Sequence, residues 1–425
     1  MDANSLVRAL PVDLQWVVSS YDPGVLFWSL SVSELAKYDW FRMVRMNFAL
    51  SYARESSSNE DMMKVYLDNC CNERSRIACG GSHVIVRLRD RLMGCGSNLF
   101  GQLGLGDIPD RSLFEEIVDV PKNIAEVVCG LNHTIVRLTD GTLMGCGHNW
   151  YGQLGLGDCD DRNLFCEIKG IPKNILKVVC GEQNTVILLT DFTIMSCGCG
   201  GSYNAFSLRQ RVNRFVKIDG IPKNIRDVVC TASRTIVLLT DFTLVRFGYH
   251  GWAEPEEPSS KIEIESKQLE ISKNILEIKC SLSNIIVLTD SVLMGCGRNM
   301  YGQLGLGDNG EKKKFSMIKG INNISKVICS PYHTILKLDD GTLMSSGNNS
   351  NGQLGLGDQR GRNIFEEIKG IPKTIVEVIC GENNTILRLR DGTLMICGSN
   401  SSGQLGQGDN INRGSFVEIK GIEGI

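Results

Sequence analysis

Histidine, proline and aromatic residues are scarce in this chain, and no face of it carries a strong charge bias. Only 5 histidines and 10 prolines occur in 425 residues, aromatic residues make up 7%, and the formal net charge is −3. A near-neutral chain lacks the basic surplus of a nucleic-acid sleeve or a polybasic membrane anchor. No apolar run approaches the roughly 18 residues of a membrane span, so no transmembrane helix is expected. The N-terminus has no basic stretch followed by an apolar core and a cleavage site, so no secretory signal is expected. Between residues 72 and 425 no helical periodicity is sustained over the length of a helix.

What the chain does have is one text written seven times. Valine- or isoleucine-rich segments end in cysteine at residues 79, 129, 180, 230, 280, 329 and 380, at intervals of 49 to 51 residues. The copy at 129 continues Cys-Gly-Leu-Asn-His-Thr-Ile-Val-Arg-Leu-Thr-Asp-Gly-Thr-Leu-Met-Gly-Cys-Gly, and Gly152-Gln-Leu-Gly-Leu-Gly-Asp158 follows. Repeats of this length bury their apolar faces against one another and fold as one body. Glu126–Cys129, Thr134–Leu138, Thr142–Cys146 and Phe165–Ile168 read as four short strands, with Asp140-Gly141 at a two-residue hairpin turn. Four strands per unit, arrayed radially, describe a propeller blade, and ring closure hides strand edges that would otherwise invite aggregation. The predicted fold is all-β, a seven-bladed β-propeller over 72–425 behind a small α-helical segment, 1–71. Closure should bring the last strand, near Phe416–Ile419, to the first repeat near Arg76–Cys79.

The repeat resembles the regulator of chromosome condensation repeat family. The resemblance rests on Cys-Gly-x-x-His-Thr, Asp-Gly-Thr-Leu and Gly-Gln-Leu-Gly, the last recurring at 101, 152, 302, 352 and 403. It implies a seven-bladed propeller that binds proteins. The founding member's activity, guanine-nucleotide exchange on a Ran-like GTPase, relies on an inserted β-wedge, and repeats of 49 to 51 residues leave no room for one.

Most conspicuous residues belong to the repeat itself. Glycine-rich loops can cradle phosphates, but no Gly-Lys-Ser/Thr and no helix follows these, and five copies would be five nucleotide sites. Of 17 cysteines, seven end strands and Cys95, Cys146, Cys197, Cys296 and Cys397 share a second repeat site, so they read as core thiols. The pairs Cys70-Cys71 and Cys197-Gly-Cys199 lack a companion pair at zinc-binding spacing. His83, His133 and His333 share a position that other copies fill with Asn184, Arg234, Asn284 and Asn384, which points to structural hydrogen bonding. No nucleophile, base and acid assemble into a set. The chain is therefore read as a non-enzyme with no cofactor and no metal, binding protein partners rather than membrane or nucleic acid, in cytoplasm or nucleus.

Residues 1–71 carry no repeat. Leu14, Val17, Val18 and Tyr21 have helical spacing, Val25–Leu30 forms a short second helix, and a third is expected from Ser33 to about Ala53, with Asn59 capping a last one. The order Leu-Pro, helix, Tyr-Asp-Pro, short helix, longer helix near Trp40 resembles an F-box over about 40 residues. That resemblance implies docking on the Skp-type adaptor of a cullin ubiquitin ligase through Leu10, Pro11, Leu14, Val18, Leu26 and Leu30. The alternative is a helical cap on the propeller. Such a pairing, with similar repeats rich in Ile, Asn and Lys, also looks like proteins of giant DNA viruses, which would place it in a host cell or a virion.

The glycine-rich text is lost in two neighbouring copies, at 199–214 and 249–261. A patch on one rim is expected there, from Tyr203, Phe206, Arg209, Arg211, Arg214, Tyr249, Trp252, Glu254, Glu256 and Glu257, because exposed aromatic and guanidinium groups dominate partner binding. Mutual pairing of the two loops after repeat decay is the competing reading.

Overall fold

The computed structural model describes Leu35, residues 37–40, 42, 43, 58, 59 and 63, and then 76–88, 91–198, 212–230, 234–240, 243–248, 275–281, 284–289 and 292–422. The chain divides into two compact units, Met1–Ser75 and Arg76–Ile425.

In the first unit Leu35, Tyr38, Trp40 and Met43 are buried. The single helix expected from Ser33 is interrupted at 37–39. Asp39 ends the break as a cap: its Oδ1 accepts from Arg42 N at 3.3 Å and its carbonyl from Met43 N at 3.1 Å. Asn59 clamps the turn, while residues 60–62, which it was expected to cap, lie outside the described residues. Its Oδ1 accepts from Trp40 N at 2.9 Å and its Nδ2 donates to the Tyr38 carbonyl at 2.7 Å. Leu10, Pro11, Leu14, Val18, Leu26 and Leu30 lie outside the described residues.

The second unit is a ring of antiparallel sheets. Six are complete four-stranded blades. The seventh sheet, fourth in chain order, has three strands among the described residues: β13 (Ile225–Cys230), β14 (Arg234–Leu239) and β15 (Leu244–Gly248). The second blade shows the plan, with β5 (Ile124–Cys129), β6 (His133–Leu138), β7 (Leu143–Gly147) and β8 (Arg162–Glu167) in spatial order. The first strands of neighbouring blades touch, β1 (Ile77–Cys79) to β5 and to β24 (Ile375–Cys380), so these strands stand innermost around the axis.

Each junction between blades has its own apolar core. Ile85, Leu92 and Ile117 of the first blade meet Val127, Val136 and Phe165 of the second. The closing junction packs Val84, Val86 and Cys95 against Ile386, Ile396 and Leu405. The last strand meets the first repeat in this core, where Val417 and Ile419 join Ile77 and Cys79, but not as a sheet partner: among the described residues β27 (Arg413–Glu418) is the outer strand of its own blade and pairs with β26 (Leu394–Gly398). The reason is radial order, which puts the first strand at the axis and the last at the rim.

Candidate functional site

The glycine-rich loops, present in five of the seven copies, prove to be latches that a blade throws over the next. The loop between β3 (Leu92–Gly96) and β4 (Arg111–Ile117) folds around buried Asn98, whose Oδ1 accepts from Leu103 N at 3.0 Å and whose Nδ2 donates to the Asp107 carbonyl at 2.8 Å. The loop then reaches the second blade. Thr134 Oγ1 donates to the Gln102 carbonyl at 2.7 Å, and Cys146 Sγ does so at 3.5 Å. Gly106 N donates to the Asn163 carbonyl at 2.8 Å. Gly104 must be glycine: its φ is +70°, and a Cβ would lie 2.3 Å from the Phe165 ring. The same latch closes the ring, where Gly408 N donates to the Ser112 carbonyl at 2.8 Å.

The histidines complete the latch. His83 Nε2 lies 3.1 Å from Thr134 Oγ1, His133 Nε2 3.0 Å from Thr185 Oγ1 and His333 Nε2 2.9 Å from Thr385 Oγ1, each reaching into the next blade. Each threonine's proton goes to a glutamine carbonyl, so the imidazole donates from Nε2. Ser330 beside His333 Nδ1, at 2.7 Å, fits that tautomer. Burial holds all three rings neutral by lowering their pKa to about 3. Burial likewise pushes the strand-end thiols up, Cys129 to about 12. These are junction parts without acid–base work at neutral pH, as the repeat position indicated.

Of the expected rim patch, Tyr203, Phe206, Arg209, Arg211, Tyr249, Trp252, Glu254, Glu256 and Glu257 lie outside the described residues. Arg214 is described. It is exposed and forms a backbone bridge to Leu156, and its guanidinium covers Gly157, where a Cβ would meet it at 2.6 Å. Arg214 therefore dresses the latch of the preceding blade.

A different cluster stands on the ring's latch-bearing face. Antiparallel order puts the Cys-Gly-x-x-His loops and the latches on this face, and the Asp-Gly turns on the other. Two residues past each strand-end cysteine the chain turns over the axial mouth. In ring order through the closing junction that position holds Glu382, Gly81, Leu131 and Glu182. Gly81 N donates to the Leu131 carbonyl at 2.9 Å, and Leu131 N to the Gly181 carbonyl at 3.3 Å. A Cβ on Gly81 would sit 2.6 Å from Leu131 Cδ1 and 3.3 Å from Glu382 Oε2, so Leu131 leans across Gly81 beside that carboxylate.

Burial raises the pKa of both Glu182 and Glu382, and Glu382 is raised further by Glu182. Tyr332, also raised first by burial, feels Glu382, Glu182 and the exposed Arg298. Its ring meets Tyr301 edge-on at 5.6 Å. From Leu131 an aromatic shelf runs outward. His148 N donates to the carbonyl of the adjacent Asn132 at 2.8 Å, and the His148 ring lies 4.5 Å from Phe100 and 5.9 Å from Tyr151. Leu99 and Trp150, at matching latch positions, are 66% and 56% exposed.

The wall below is electrically settled. Arg137 pairs with Glu126 at 3.1 Å, Lys177 with Asp227 at 2.5 Å and Arg388 with Glu377 at 2.8 Å. Among the described residues neither mouth carboxylate has such a partner. The sequence did carry a signal for this site: a variable position, Gly81, Leu131, Glu182, Pro331, Glu382, inside otherwise constant text.

Comparison with known proteins fits this architecture. The sequence profiles of the Regulator of chromosome condensation (RCC1) repeat match residues 124–153, 324–353 and 375–404, and 140–188, 293–336 and 340–387. The stretches 124–188 and 293–404 thus read as RCC1 repeats. It is 37% identical over 120 residues to the mouse X-linked retinitis pigmentosa GTPase regulator, a stretch covering 27% of this chain and 12% of that protein. It is 29% identical over 144 residues to the human probable E3 ubiquitin-protein ligase HERC3, covering 32% of this chain and 14% of HERC3. The alignments thus span a small part of these longer relatives. The crystal structure of Prp20p from Saccharomyces cerevisiae superposes with a TM-score of 0.67 at 15% identity, over 80% of this chain and 88% of that one. Yeast RCC1 (Prp20) bound to Kap60 gives 0.68 at 16%, over 81% and 88%. These two likenesses are of fold. Among the described residues no helix is long and apolar enough to cross a membrane.

Proposed function

We propose that this chain is a non-enzymatic protein-interaction platform that reads a partner on the latch-bearing face of its ring. The observation that carries the reading is the axial mouth, where partly buried carboxylates with no cation partner among the described residues adjoin an exposed aromatic shelf. Such a mixture of aromatic anchors and desolvated charge is what protein interfaces use. Relatives support it by name: Prp20p is described with binding properties to Gsp1p and histones, and yeast RCC1 with Kap60 bound.

The same proposal assigns the N-terminal unit to a ligase. Docked on a Skp-type adaptor through Leu10, Pro11, Leu14, Val18, Leu26 and Leu30, it would present whatever the ring holds for ubiquitin transfer. One similar protein is a probable E3 ubiquitin-protein ligase. Affinity capture of the full chain, with mass spectrometry, tests both halves. Recovery of adaptor and cullin, lost on Leu14→Ala with Leu26→Ala, supports the ligase assignment. Recovery of a nucleotide-free GTPase instead supports exchange, in keeping with the bovine secretion-regulating guanine nucleotide exchange factor, 36% identical over 110 residues. Recovery of particle proteins supports a structural role. Capture unchanged by Trp252→Ala and Arg211→Ala removes the two divergent loops from the reading surface.

A further inference from the structure

We infer that the axial mouth receives a lysine or arginine side chain, carried on an apolar-flanked segment of a protein partner. The inference rests on the platform reading and names what the platform holds.

Charge complementarity selects the occupant. Glu182 and Glu382 come from blades on either side of the Gly81–Leu131 floor, Glu382 feels the charge of Glu182, and among the described residues neither has a cation partner. Two carboxylates held partly out of water repel, and a cation between them relieves both desolvation and repulsion. In the wall beneath, Glu126, Asp227 and Glu377 are ion-paired, whereas among the described residues the two mouth carboxylates are not. Arg298, the cation closest in influence there, makes its side-chain contact with Met300 Sδ at 3.0 Å. A phosphate-bearing partner would meet repulsion at this point.

The apolar groups select the kind of cation. Leu131 lies against Glu382 across Gly81, which gives methylene stems an apolar support beside the carboxylate. Lysine and arginine bury such stems while their heads stay polar. The Tyr332 and Tyr301 rings stand where a cation can lie over or beside an aromatic face. A free metal ion has no use for the stem support, and no group of three or more His, Cys, Asp or Glu fit to hold a metal occurs among the described residues. The shelf of Phe100, His148 and Tyr151, with exposed Leu99 and Trp150, begins one residue from Leu131 and runs outward. Apolar residues flanking the basic one would lie there.

The test uses the full chain and two fluorescent peptides, acetyl-Leu-Trp-Ser-Arg-Ser-Leu-Phe-amide and its twin with citrulline for arginine, read by anisotropy at pH 7.5. The arginine peptide should bind at least tenfold more tightly than the citrulline peptide. Glu182→Gln with Glu382→Gln should erase that preference and melt no lower than the parent, because it removes repulsion. Phe100→Ala with Trp150→Ala should weaken both peptides about equally. Equal affinity for the two peptides, absence of binding, or an undiminished preference in the double Gln variant overturns the inference. So does tighter binding of a single-stranded dT20 oligonucleotide than of the arginine peptide. Partner capture that survives in the double Gln variant would leave the platform standing and remove this occupant from it.

Discussion

Thr134→Val is the sharpest probe of the latch. Valine keeps the shape of threonine and removes one hydroxyl. That hydroxyl donates to the Gln102 carbonyl at 2.7 Å and accepts from His83 Nε2 at 3.1 Å, and Thr134, Gln102 and His83 are all 0% exposed. The substitution strands a buried acceptor and a buried donor at once. Each stranded group costs about 1–3 kcal/mol. Cys146 Sγ still reaches Gln102 O at 3.5 Å and softens the first loss, so the net expectation is about 2–4 kcal/mol. Urea unfolding at pH 7.5, followed by tryptophan fluorescence, should show a lowered midpoint with an unchanged slope. Thr193→Val is the control: its hydroxyl lies in an exposed turn, bonded to Asp191 Oδ2 at 3.0 Å, and its loss should stay within about 0.5 kcal/mol. Equal midpoints for the two variants would refute the claim that the Gln–Thr–His relay holds neighbouring blades together.

Acid should open the ring through its histidines. The unfolded chain takes up three protons near pH 6.5 that His83, His133 and His333 refuse until about pH 3, so stability falls as pH drops through that window. Each contributes roughly 1.4 kcal/mol per pH unit, about 6 kcal/mol together at pH 5. The urea midpoint should fall steeply from pH 7 to 5, and His333→Asn, the residue sister copies use, should flatten the fall by about a third; a flat profile in the parent chain would contradict the burial argument. Gly141→Ala should cost at least about 2 kcal/mol, because φ is +85° and a Cβ would lie 2.0 Å from the Lys173 carbonyl. Gly170→Ala, at φ +78° with nothing within 4 Å, should cost only the backbone strain of about 1 kcal/mol, and equal losses would show that the contact at Gly141 is unimportant. Removing residues 412–425 deletes the outer strand that receives the preceding latch, where Gly357 N donates to Gly414 O at 2.9 Å, so the ring should melt well below the full chain; identical melting would defeat the closure argument.

The ring was legible because strand periodicity and a cysteine every 50 or so residues report the same unit twice. The hairpin was legible in place but not in type: only Gly141 has positive φ, at +85°, and Leu138 N donates to the Thr142 carbonyl at 2.8 Å, so the turn holds three residues, Thr139 to Gly141, rather than the expected two. Latch direction was not. Nothing local in Gly-Gln-Leu-Gly says that it grips the next blade, since Gln102 acts through its carbonyl and its partners stand 32 and 44 residues away. The second neighbour of Arg214 was hidden for a related reason: nothing local tells that its guanidinium covers Gly157 of the preceding blade. The helix expected through 37–39 failed where Asp39, a good cap, outcompeted continuation, an option that apolar spacing cannot register. The axial mouth escaped because its signal was variation. Glu182 and Glu382 replace Gly81 and Leu131 without disturbing any turn, and a reading that sought broken repeats passed over an intact one with changed chemistry.

The two kinds of variable place follow from one constraint. A latch residue answers to two blades, so a change at Gly104 collides with Phe165 and a change at Thr134 strands a buried partner. Such positions have little freedom to acquire new chemistry. Gly81 and Leu131, two past their strand-end cysteines, join blades through their main chain, as Gly81 N does with Leu131 O and Leu131 N with Gly181 O, and this use leaves the side chain at that position free to vary. There a glutamate costs the junction nothing beyond its own desolvation, which the raised pKa of Glu182 and Glu382 records. That residual cost is informative. Carboxylates that gained nothing would be more stable in open solvent than partly buried beside each other, whereas a cation arriving from outside turns the same desolvation into binding strength. A cation seated at the mouth would offset that desolvation, and the arginine and citrulline peptides measure by how much.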